Sequence, residues 1–158
     1  MKLKSMLFGS VVGLFIGIIF PYFAVLVNIY FKLPIFKILL FQFSGIVLCF
    51  AGALIFFYCS YLFAKKGNGT PVPIEPPKRF VGNGIYKYTR NPIYLGYFLI
   101  FSGEFLIFGH LLLAAYAATM ALLIHIYVVF HEEPVLKKRF GTTYKEYLKI
   151  TPRWLKIL

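Results

Sequence analysis

Long apolar stretches divide this chain, and its charged residues gather between them. No Asp, Glu, Lys or Arg interrupts residues 7–31, 39–64 or 111–130, and the shorter run 94–108 carries one acid, Glu104. About 20 apolar residues match the roughly 30 Å hydrocarbon core of a bilayer. Within it a helix satisfies every backbone polar group inside one segment. The pattern predicts an all-α integral membrane protein of about four transmembrane helices, forming a single membrane domain over residues 1–158. The run 7–31 outlasts the 7–15 residues of a signal-peptide core and no small-residue cleavage site follows, so it reads as an uncleaved first span, kinked at Pro21. Only Gly109 and His110 separate the last two spans, which forces an antiparallel helical hairpin.

The polar segments give an orientation. Lys2 and Lys4, six basic residues in the loop 65–92 and seven in the tail 131–158 fall on one side, against Lys32 and Lys37 on the other. Short loops rich in Lys and Arg stay in the cytoplasm, so both termini, the loop and the tail are expected there. Pro71, Pro73, Pro76 and Pro77 forbid helix and sheet and favour a stiff, extended path. That path is either a spacer or a strap over a cytoplasmic site. In the tail, Leu136, Phe140, Tyr144, Tyr147 and Leu148 share one helix face. The expectation is a C-terminal amphipathic interfacial helix with Trp154 as a headgroup-level anchor.

Composition sharpens this picture. Hydrophobic residues make up 60% of the chain and charged residues 14%, against roughly 25% charged in a soluble domain. A soluble fold of this length cannot hide so much apolar surface. The net charge of +12 sits between apolar runs, which points to anionic membrane lipids and not to nucleic acid. Cys49 and Cys59 lie ten residues apart in one span, about 15 Å on a helix, too far for a disulfide.

Acids are scarce, so their positions matter. Glu132 and Glu133 precede Pro134, which is expected to end or kink the fourth helix. Two carboxylates would then crowd an electronegative helix C-terminus. Either Lys137, Lys138 and Arg139 neutralise them, or a sulfonium or ammonium ligand docks there. Glu104 lies inside a span, where an ionisable group faces a partner or a cavity; it either pairs with His125 in the bundle or lines a cavity. No metal site is expected, because His125 and His131 do not share a helix face and no Cys/His cluster or H-E-x-x-H occurs. Gly82-Asn83-Gly84 is a weak G-x-G without strand–turn–helix context. The segment Ile85-Tyr86-Lys87-Tyr88-Thr89-Arg90-Asn91-Pro92-Ile93-Tyr94 is denser. Pro92 suits the first turn of the third span, Arg90 can fork onto a carboxylate, and the tyrosines can stack on a purine or face a sulfonium. An aromatic belt with a snorkelling Arg is the simpler alternative.

From about residue 67 to 155 the chain resembles the integral-membrane methyltransferases that include isoprenylcysteine carboxyl methyltransferase and phospholipid N-methyltransferase, most closely their small prokaryotic members. The resemblance rests on GTPVPIEPPKRFVGNGIYKYTRNPIYLG, then SGEFLIFG, then HEEPVLKKRFGTTYKEYLKITPRW, in that order. It implies S-adenosylmethionine as methyl donor, a lipophilic acceptor with a carboxyl or amine head, and the cytoplasmic membrane as location. It also implies a cofactor pocket at the cytoplasmic ends of the last two spans. Its motifs fall on Arg90, Pro92, Tyr94, Glu132 and Glu133, with Gly82 and Gly84 at a G-x-G used near the cofactor; Tyr86 and Asn91 complete the expected set. Asn91 stands where the eukaryotic carboxyl methyltransferases carry His, which weakens the case for a prenylcysteine acceptor. Glu104 and His125 are the candidates to take a proton from an amine acceptor. A non-catalytic lipid-binding or scaffold protein that keeps the fold is the alternative.

Overall fold

The computed structural model describes residues 3–70 and 77–155. The prolines at 71, 73 and 76 lie outside the described residues. Among the described residues six helices carry the fold: α1 (Leu3–Leu14), α2 (Phe20–Tyr30), α3 (Leu39–Leu62), α4 (Pro92–Phe108), α5 (Leu111–Tyr127) and α6 (Glu133–Ile150). Among the described residues no strand forms; an isolated bridge joins Ile35 to His110. Three helical stretches, Leu7–Tyr30, Leu39–Gly67 and one beginning at Leu111, are long and apolar enough to cross a membrane, and α4 is a shorter apolar helix. The chain is an all-α membrane protein.

Three π-turns interrupt the spans: Phe15–Ile19, Phe63–Gly67 and Val128–Glu132. The first directly precedes α2, which carries Pro21 in its opening turn. Its widened turn accommodates the missing proline donor, so the kink expected at Pro21 takes the form of a π-turn upstream. The third does the same for Pro134, with the Glu133 N–H bonding Val128 O. The helix therefore does not end at Pro134. Helical residues continue from Leu111 to Ile150, 40 in all, with a break at Gly141; up to that break the helix runs about 45 Å, longer than the apolar core of a bilayer. The apolar part, to Phe130, suffices as a span, and the polar remainder lies beyond it. Glu132 and Glu133 thus sit in mid-helix, and the expected crowding at a C-terminus does not arise.

Helix α4 packs between α3 and α5. Against α3 the contact is backbone to backbone: Gly45 faces Gly103 and Gly52 faces Gly96. Small residues at such a contact let membrane helices approach closely. Gly109, in the left-handed region at φ 71°, ends α4 and starts the turn into α5.

At this end of the bundle the turn is clamped by the loop after α2. Asn28, fully buried, donates to Leu33 O at 3.0 Å and accepts from Leu112 N at 3.0 Å. Phe36 N bonds Gly109 O at 2.8 Å. Replacing Asn28 with leucine strands a buried N–H and a buried carbonyl, each worth about 1–3 kcal/mol. The expected result is a clear fall in the thermal midpoint of the detergent-solubilised chain; an unchanged midpoint would show that the clamp carries no stability.

Candidate functional site

At the opposite end of the hairpin, the loop and α6 fold over the first turn of α4. The segment after the π-turn Phe63–Gly67 returns to it, with Lys78 N and Arg79 N both bonding Gly67 O. Phe80 then inserts its ring among Phe140, Tyr144 and Tyr147 of α6. This consumes most of the apolar face that the sequence pattern assigned to the tail. Tyr144 and Tyr147 are buried against the loop, and Trp154 packs on Phe98 with the rings tilted by 50°. Gly141, at φ 54°, breaks the regular helix within α6. A short 3₁₀ helix, Gly84–Lys87, presents Tyr86, whose carbonyl accepts the Tyr147 hydroxyl.

Between these elements lies a cavity of about 720 Å³, within the range of small-molecule sites. Apolar side chains such as Phe63, Val81, Ile93 and Leu136 form much of its wall. The polar groups converge from two helices. Tyr94 Oη donates to Glu132 Oε2 at 2.7 Å, so α4 and the π-turn after α5 jointly present a carboxylate to the cavity. Burial chiefly, with the charge of Glu133, raises the Glu132 pKa, against the pull of the Tyr94 hydrogen bond and His131. Arg90 also lines the cavity, and its buried Nε has no hydrogen-bond partner among the described residues. An unpaired buried donor is costly. It fits a ligand that brings its own acceptor.

Glu133 behaves differently. It is buried, and Arg153 grips both its oxygens, Nε to Oε1 at 2.8 Å and Nη2 to Oε2 at 3.1 Å. Arg90 Nη1 adds a contact to Oε1 at 3.3 Å. Burial alone would raise this carboxyl, but the Arg153 hydrogen bonds and the charges of Arg90, Arg153 and Lys137 hold it below the usual carboxylate value. The backbone around Arg153 is stitched to the same place. Thr89 Oγ1 and Asn91 Nδ2 donate to Arg153 O at 3.1 and 3.0 Å, and Arg90 N donates to Pro152 O.

The sequence-derived set is therefore divided. Tyr86, Arg90, Asn91, Tyr94 and Glu132 meet around one cavity. Pro92 opens α4, buried, and Glu133 supports the site from behind. Gly82 borders a separate shallow depression with Asn83 and Glu146. Gly84, at φ 65°, faces the Tyr58 hydroxyl. Neither glycine lines the cavity. Glu104 and His125 do not line it either, and they do not pair: His125 Nδ1 accepts from Trp154 Nε1 at 3.1 Å. The hairpin explains this. Glu104 lies about five residues before the turn and His125 about fifteen after it, roughly 15 Å apart along the helix axes. Sequence reasoning missed Arg153, visible only as one more tail cation, and the Phe80 plug, visible only as one aromatic among many.

Fold and cavity together define a helical membrane protein with a cavity beyond the ends of its last two spans. The family model for phospholipid methyltransferase matches residues 40–143, about two thirds of the chain and most of the cavity wall. The chain belongs to the phospholipid methyltransferase family, and membership implies a membrane methyltransferase. No curated protein and no solved structure matches it.

Proposed function

We propose that the chain transfers a methyl group from S-adenosylmethionine to a lipophilic acceptor bearing a carboxyl or amine head. On this reading the cavity is the cofactor site, 1–158 is one membrane domain, and the loop, tail and both termini face the cytoplasm, as fifteen basic residues against two favour. The observation that carries the proposal is the convergence of a carboxylate, Glu132, and an unpartnered guanidinium nitrogen of Arg90 in one cavity. These two suit a ligand with a cationic centre at one point and a carboxylate at another. When bound, the cofactor would supply a methyl on a sulfonium, already activated for displacement.

The residues then have separable tasks. Arg90 binds the carboxylate of the ligand. Glu132, oriented by Tyr94, attracts the cation and favours the approach of the methyl-bearing centre. Phe80, Phe140 and Tyr144 exclude water from above, which strengthens both electrostatic contacts. No covalent nucleophile is required. Correct alignment of acceptor and methyl can supply about 7–11 kcal/mol of the barrier. A carboxylate acceptor needs no base; an amine must lose its proton, and Glu132 and His131 are wall groups able to take it.

Calorimetric titration of the purified chain with S-adenosylmethionine and S-adenosylhomocysteine tests this. Both are expected to bind saturably, and Arg90→Ala is expected to abolish both. The two should differ in pH dependence. Glu132 titrates above the ordinary carboxyl value, so lowering the pH through its raised pKa removes the negative charge. Affinity for the sulfonium should fall there, while affinity for the uncharged thioether stays nearly constant. Absence of binding in detergent and in nanodiscs would end the proposal; identical pH profiles would remove Glu132 from it.

A further inference from the structure

Arg153 is the second arginine on Glu133, and it comes from the far end of the chain, beyond the stretch that matches the family. Its geometry with Glu133 and Arg90 is unequal. Arg153 takes Glu133 with two nitrogens, one on each oxygen. Arg90 is left one nitrogen on one oxygen, at the longer distance of 3.3 Å. A guanidinium next to a free carboxylate would ordinarily turn its fork onto it. Here the carboxylate is already taken, and Arg90 keeps its Nε unspent within the cavity wall.

We propose that Arg153 is a positioning residue: by occupying both oxygens of Glu133 it prevents Arg90 from closing on that carboxylate and so keeps the Arg90 guanidinium open to an anionic group of the ligand. The inference rests on the proposed cofactor site for the identity of that ligand, but the competition itself is a property of three side chains in this fold. The bonds from Thr89 Oγ1, Arg90 N and Asn91 Nδ2 to the carbonyls of Pro152 and Arg153 serve the same end. They fix the backbone of Arg153 against the residues flanking Arg90, so that the two guanidinium groups reach Glu133 from set directions. The chemistry recognised is a carboxylate or similar oxyanion, presented edge-on to Arg90.

Two measurements decide it. The first uses S-adenosylhomocysteine binding to the full chain. Arg153→Ala is expected to weaken binding about tenfold, the scale of one buried charge-assisted hydrogen bond. Adding Glu133→Gln to that variant removes the carboxylate that captures Arg90, and binding should tighten relative to Arg153→Ala alone. A purely structural tail contact predicts the reverse, because the second substitution would only loosen the site further; a double variant that binds no better overturns the proposal. The second measurement needs no ligand. If Arg90 turns onto Glu133 once Arg153 is gone, Arg90→Ala should lower the thermal midpoint more in the Arg153→Ala background than in the wild-type chain. An equal or smaller fall overturns the proposal. A wild-type chain that binds no S-adenosylhomocysteine would refute the cofactor reading by itself, and the thermal cycle would still decide the competition.

Discussion

Gly52→Val is expected to eliminate most of the folded protein. A Cβ at this position would stand 2.5 Å from Gly96 O and 2.8 Å from Ile100 Cγ1. One obstacle is the backbone of a neighbouring span and cannot swing aside. Overpacking a well-filled core usually costs about 1–3 kcal/mol, and an obstacle made of backbone puts this site at or above that range. The partner positions tell the same story, with a Cβ at Gly103 2.5 Å from Cys49 Sγ and 2.7 Å from Gly45 O. Gly13, in α1, has nothing within 4 Å of its would-be Cβ, so Gly13→Ala is the matched control. Monodisperse recovery from detergent and the thermal midpoint are the measurements. Wild-type values for Gly52→Val would mean that α3 and α4 do not meet through their backbones.

For activity, the largest effect is expected from Glu132→Gln. Glutamine preserves the size of the side chain and an acceptor for the Tyr94 hydroxyl, so the fold should be undisturbed. It removes the one carboxylate that the described residues place in the cavity wall. Truncating one side of a desolvated charge interaction costs about 2–5 kcal/mol, which makes the loss in kcat/KM roughly a hundredfold or more. Transfer of labelled methyl to a membrane lipid extract provides the assay. Tyr94→Phe removes only the orienting donor and should cost less, about tenfold. A Glu132→Gln chain with near-normal turnover would move the cationic centre elsewhere in the cavity.

Membrane spans could be located from the sequence because their signal is local. An apolar run of bilayer length needs no partner to be recognised, and the two-residue link at Gly109 and His110 fixes the hairpin by itself. Arg90, Tyr94 and Glu132 were also legible, since their segment is dense in polar groups beside a span and resembles a known motif. Asn91 was legible as a residue but not in its bonding, because its amide ties down the carbonyl of Arg153, 62 residues away. Arg153 itself had no local signal. The glycines of α3 and α4 escaped notice although each pair is spaced by seven residues, because a spacing on one helix gains meaning only when the matching pair faces it. The pairing of Glu104 with His125 failed for a simpler reason: both suit a buried polar contact, but the hairpin register sets them far apart.

The π-turn Val128–Glu132 has a consequence for how this chain tolerates insertions and deletions. Its bonds span five residues where a regular helix spans four, so it holds one surplus residue without breaking the helix. Deleting any one residue there would let the helix close into regular form, at little local cost. Everything after the deletion would turn by about 100° relative to α5. The apolar face of α6 would leave Phe80, and Glu133 would leave Arg90. One helix, unbroken as far as Gly141, thus serves two environments because the parts on either side of this turn are out of phase, and a single codon holds the offset between them.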